Sequence, residues 1–172
     1  MTTEEVIDIL GMIPLEVEGG MWRGMFRSDE IIPEGVFEGR EGARAAYGSI
    51  FYLLTSESVS RMHRLATDEL WSFYLGSPCE LLVLRTDGTG YTEILGQDIK
   101  NGEKLMTVVP RGCWQGVCMI GPSSENDWAL LGTVMAPAYE DSDYEDGTED
   151  LLGQYPEFAD KILPLLASPQ ER

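Results

Sequence analysis

The sequence predicts an all-β protein, an antiparallel sandwich or barrel with a short helix at each end. Two observations carry that prediction. Runs of strand-type residues recur at near-regular spacing, about nine in all, as in sandwiches and closed barrels. Gly and Pro punctuate those runs, and 19 Gly supply the turns such a fold needs. With 172 residues the chain suits one domain, long enough to bury a substantial core.

The first element is a helix over residues 4–11. Glu4 and Glu5 suit a helix N-terminus, Val6, Ile7, Ile9 and Leu10 supply the apolar residues, Gly11 closes it and Pro14 prevents continuation. Strand-type segments follow at 21–26, 46–55, 59–65, 70–75, 79–85, 91–95, 105–109, 114–120 and 128–136. Asp87-Gly88 is a strong hairpin signal between two of them, and Asn101-Gly102 marks another turn. These strands place a barrel at roughly 18–138. Residues 140–150 then hold seven carboxylates, without the spaced ligand–glycine–glutamate pattern of a calcium loop, and are expected to form a solvated loop. Beyond it, Phe158, Ile162, Leu163, Leu165 and Leu166 recur at helical spacing, so 139–168 reads as an acidic loop and a C-terminal helix that Pro164 should bend or end.

Composition excludes several function classes. Hydrophobic residues make up 43% of the chain, too many for a disordered one. No apolar run approaches a bilayer span. A net charge of -18 opposes nucleic acid and anionic membrane, because the overall field repels phosphate. The N-terminus lacks the basic start and apolar stretch of a signal peptide, and three Cys without a CxxC spacing read as reduced thiols. A cytoplasmic protein is the expectation. Cys113 and Cys118, five apart in a strand, face opposite ways and read as buried thiols.

The most restrictive count is one histidine, His63. It excludes any two-histidine metal site, and chemistry must run through that imidazole or through carboxylates. His63 sits in one strand and Glu69 opens the next. By period-2 alternation Glu69, Trp71 and Phe73 share a face, and an acid beside two large aromatics is costly unless that face is a cavity with a polar partner. Arg23 and Arg27, four apart in one strand, fall on the same face. Either can pair with surface acids or hold an anionic ligand at two points, and with a net charge of -18 pairing is the expectation for Arg27.

His63, Glu69 and Gly76, followed by Pro110-Arg111-Gly112, resemble the two motifs of the cupin superfamily. Leu65 and Gln115 stand where that family has its other histidines. The ordered series Glu18-Gly19-Gly20-Met21-Trp22-Arg23, Tyr52-Leu53-Leu54, His63-Arg64, Asp68-Glu69-Leu70-Trp71, Val109 to Gln115 and Tyr155-Pro156 is similar to a small cupin branch related in fold to the dTDP-sugar epimerases. Glu16-Val17 replaces that branch's usual His-Pro, and Ser72 replaces a frequent histidine. The resemblance implies a double-stranded β-helix, the jelly-roll barrel of cupins, with a small polar or anionic, sugar-related ligand in its mouth.

On this reading His63 and Glu69 are the catalytic pair of an epimerase- or isomerase-type proton transfer, with the nearby carboxylate favouring protonated imidazole. Arg23, Trp71, Phe73, Trp114 and Gln115 are the ligand-binding residues. No metal and no cofactor is called for, since one imidazole, one carboxylate and one amide oxygen make a poor site for a first-row metal. The alternatives are a metal-dependent enzyme built on His63, Glu69 and Gln115, and a non-catalytic binding or structural module. A strand-rich barrel with exposed edges is further expected to pair as a homodimer.

Overall fold

The structure is a computed structural model that describes residues 1–37, 42–121 and 127–166. It opens on helix α1 (Thr3–Leu10), capped by Thr2 and Glu5 in a reciprocal capping box and closed by Gly11 in the left-handed conformation. Among the described residues thirteen strands follow: β1 (Ile13–Pro14), β2 (Met21–Arg27), β3 (Ile31–Ile32), β4 (Arg44–Ala45), β5 (Gly48–Thr55), β6 (Ser60–Leu65), β7 (Glu69–Gly76), β8 (Cys79–Leu84), β9 (Gly90–Leu95), β10 (Met106–Val109), β11 (Trp114–Met119), β12 (Trp128–Met135) and β13 (Tyr144–Asp146). Helices α2 (Asp150–Gln154) and α3 (Ala159–Ile162) come after them.

Two antiparallel sheets face each other, one ordered β1-β2-β5-β12-β7-β10 and the other β13-β6-β11-β8-β9. This is the jelly-roll arrangement of a double-stranded β-helix. Consecutive strands β6 and β7 fall in different sheets, so the short turn over 66–68 carries the chain across the barrel. Asp68 is a turn carboxylate there, accepting from the Arg111 backbone N–H at 2.8 Å.

Strand alternation sorts the apolar residues into three layers. Tyr52, Leu54, Trp71, Phe73, Leu81, Val83, Cys113, Val117, Ala129 and Leu131 point inward and form the core between the sheets. Their strand neighbours point outward. Leu53 and Leu130 pack with Val6 and Met12 around α1, whereas Leu82, Leu84 and Trp114 pack beneath α2 and α3 with Leu151, Ile162 and Leu165. Helices thus cover both outer faces, which explains strands that are apolar on both sides.

Close approach requires glycine at Gly19 and at Gly76. Gly76 has φ +96°, and a Cβ there would lie 2.1 Å from the Trp128 carbonyl oxygen.

The last segment departs from expectation in two ways. The acidic stretch is partly built in: Asp143 is buried and paired with buried Arg44 at 2.5 Å, and β13 adds to the edge of β6. The charge run misled because a buried partner from β4 neutralises one of its members. The C-terminal helix is broken into two, with 3₁₀ turns at Pro156–Phe158 and Leu163–Leu165, because proline removes a donor and clashes with the preceding turn. Residues 167–168, expected to complete it, lie outside the described residues.

Candidate functional site

At one end of the barrel, β2, β5, β7 and β12 leave a cavity of about 500 Å³. Its depth is formed by Ile50, Leu65, Glu69, Thr133 and Met135, its walls by Trp22, Glu18 and Tyr144, and its rim by Arg27, Tyr139, Glu140 and Asp141. Glu69 is the buried acid of this space, with a relative exposure of 6%.

Behind Glu69 lies a closed hydrogen-bond network joining the two sheets. Trp71 Nε1 donates to Gln115 Oε1 at 3.0 Å. An indole N–H can only donate, so the Gln115 amide is fixed with its nitrogen pointing the other way. That nitrogen lies 2.5 Å from Glu69 Oε2 and 3.1 Å from His63 Nε2. His63 Nδ1 is 2.7 Å from the Arg61 carbonyl, an acceptor only, so Nδ1 carries the hydrogen. Nε2 faces the Gln115 amide nitrogen, so each ring nitrogen has a polar partner inside the network. Tyr144 stacks on the imidazole, with centroids 5.3 Å apart and planes 15° apart.

The Glu69 carboxyl is raised from 4.5 to about 7. Burial is the main cause and the Glu18 charge adds to it, while His63 and hydrogen bonds from Gln115 and Thr133 oppose it. Glu18 is held by the Ser60 hydroxyl, which donates to it at 2.6 Å. Burial, with Asp146 and Glu18, also pushes the Tyr144 hydroxyl well up.

The residues singled out in the sequence therefore separate. Glu69 lines the cavity. His63, Gln115 and Trp71 stand behind it and touch it through one amide. Phe73 shares the face of Glu69 and Trp71 but lies further along β7, in the packed core. Trp114 faces the other way: Gln115 points inward, so alternation turns Trp114 outward, where Arg64 lies 4.7 Å over its ring. Arg23 also leaves the site. The register of β2 against β5 shifts between Gly24 and Phe26, so the four-residue spacing no longer places both arginines on one face. Arg23 ends up beside Gly11 at the C-terminus of α1, a favourable place for a cation. Arg27 lines the rim and is ion-paired with Glu140.

Sequence reasoning missed Trp22, Glu18, Thr133, Tyr139 and Tyr144 as cavity residues. Glu18 and Trp22 stood in the quoted opening motif, and Tyr144 interrupts the carboxylate run. Those were the signals available.

The fold and site together define a jelly-roll barrel with a buried acid facing an end cavity. The sequence model described as cupin superfamily (DUF985) matches residues 4–146, and the chain belongs to the cupin superfamily. Among solved structures it is similar to a hypothetical protein from Leishmania major, with 28% identity over 98% of this chain and 100% of that one and a TM-score of 0.85. It is equally similar to a Shewanella oneidensis protein, with 28% identity over 97% and 98% and a TM-score of 0.84. An oxalate decarboxylase variant from Bacillus subtilis matches at 16% identity and a TM-score of 0.51, over 94% of this chain and 37% of that one, a likeness of fold alone. No curated protein sequence matches.

The metal set implied by the cupin resemblance does not fit these residues. Leu65 offers no donor atom. Gln115 directs N–H groups at His63 and Glu69, filling the lone pairs a cation would need. Among the described residues no group of three or more His, Cys, Asp or Glu could hold a metal ion.

Proposed function

We propose that this chain binds a small organic molecule in the end cavity and that Glu69 acts on it as an acid–base group of the isomerase or epimerase type. The observation that carries the reading is a buried carboxyl, raised to about 7, lining a cavity of ligand size. A group of that acidity is poised to give or take a proton near neutral pH. Its general-base form is the carboxylate, which receives a proton from a carbon of the ligand; the acid so formed returns that proton to another atom on the same face, the isomerase form of the reaction. His63 is a positioning residue, holding Gln115 and through it Glu69. The anionic ligand suggested by Arg23 loses its support, because Arg23 lies outside the cavity and Arg27 is already paired.

The test starts from a thermal-shift screen of nucleotide sugars, neutral sugars and small amines. A hit is then incubated in D₂O with wild type and with Glu69→Gln. Deuterium entering a ligand C–H with wild type, and not with the variant, supports proton transfer. A retained thermal shift without exchange in either protein favours a binding module.

Pairing of two copies is a second proposal. Edge strand β10 exposes Met106 and Val108, with Leu105 and Leu75 beside them. Light scattering reading twice the 19.1 kDa chain mass supports it, and a reading at the chain mass refutes it.

A further inference from the structure

Resting on the cavity as a ligand site, we infer that its ligand is a cation, an ammonium group carried on an apolar body. Four carboxylates line the space: Glu69 in its depth, Glu18 on its wall, and Glu140 and Asp141 at its rim. Among the described residues the lining holds a single basic side chain, Arg27, which is exposed and already bound to Glu140. Neighbouring cations are committed elsewhere. Arg44 is buried against Asp143, and Arg64 forms a two-point pair with Glu145 and stacks on Trp114 outside the barrel.

An anionic ligand would have to break the Arg27–Glu140 pair and then lie against the remaining carboxylates in a space of reduced dielectric. An ammonium meets the reverse situation. The Ser60 hydroxyl holds the Glu18 carboxylate, and the Glu18 charge contributes to raising Tyr52, Glu69, Tyr139 and Tyr144, the last three of which line the space. Trp22 and Tyr144 add aromatic rings to the lining, the side-chain type whose faces attract a cation, although one face of Tyr144 is stacked on His63. Leu15, Ile50, Leu65 and Met135 give the apolar body its contact.

The experiment is calorimetry on the full chain with three probes of one shape, 2-phenylethylamine, 2-phenylethanol and phenylacetate, buffered above the pH at which Glu69 loses its proton. The amine should bind tightest, by about tenfold or more over the alcohol, with phenylacetate weakest. Glu18→Gln should weaken the amine by about tenfold and leave the alcohol unchanged. Asp141→Asn, an exposed rim substitution that spares the fold, should weaken the amine less. If phenylacetate or the alcohol binds as well as the amine, the cation assignment is overturned while the cavity stands as a ligand site. Amine binding that ignores both substitutions overturns it as well. If none of the three binds, the ligand-site reading falls with it.

Discussion

Replacing Glu69 by Gln should change how stability depends on pH. In the folded protein its carboxyl titrates at about 7, against 4.5 for the ordinary group. The folded state therefore holds a proton that the unfolded chain has released throughout that window. A raised value means the contribution is fully present below 4.5 and is lost as pH rises through about 7. The full difference is about 3 kcal/mol, taking about 1.4 kcal/mol for each unit. The rest of the chain, with a charge of -18, also loses stability as it ionises, so wild type alone cannot isolate the effect. Urea denaturation of both proteins at several values between pH 4 and 8 gives the needed difference. Wild type should lose about 3 kcal/mol more than Glu69→Gln across the window, the divergence growing steadily from about 4.5 and levelling off above about 7. Parallel profiles would show that Glu69 is ionised in the folded state and that the reasoning from burial is wrong.

Gln115→Leu strands three buried polar atoms at once, Trp71 Nε1, His63 Nε2 and Glu69 Oε2. At about 1–3 kcal/mol for each, denaturation should show a loss of about 3 kcal/mol or more, and a loss under about 1 kcal/mol would mean water replaces the amide without penalty. Asp143→Asn leaves the Arg44 guanidinium buried without its countercharge and should cost about 3 kcal/mol. The double variant Arg44→Met with Asp143→Leu should recover most of that, as measured by chemical denaturation; no recovery would place the cost in the loop backbone instead.

Much of the barrel was legible because alternation is a local property. Glu69, Trp71 and Phe73 share a face in β7 as their spacing required, and α1 lies where its apolar residues, Gly11 and Pro14 put it. The site was legible only in part. Reading strand order from one chain does not reveal that β6 and β7 cross between sheets, so His63, Glu69 and Gln115 were visible as a set while the amide's place between the other two was not. The β2 irregularity near Met25 has no sequence marker beyond Gly24, and it exchanged the places of Arg23 and Arg27. Buried Asp143 looked like its six acidic neighbours because its partner lies 99 residues away. For Trp114 the information was present: adjacent strand residues face opposite ways, so Trp114 and Gln115 could not both have reached the same space.

The fixed amide of Gln115 also decides where the Glu69 proton rests. Because the indole sets the amide's direction, Oε2 receives an N–H and plays the carbonyl oxygen of the neutral acid. The hydroxyl must then be Oε1. A donor-only ring two residues along the same strand thus gives the carboxylic acid a handedness, one oxygen committed to the Gln115 amide and the other left to carry hydrogen in and out.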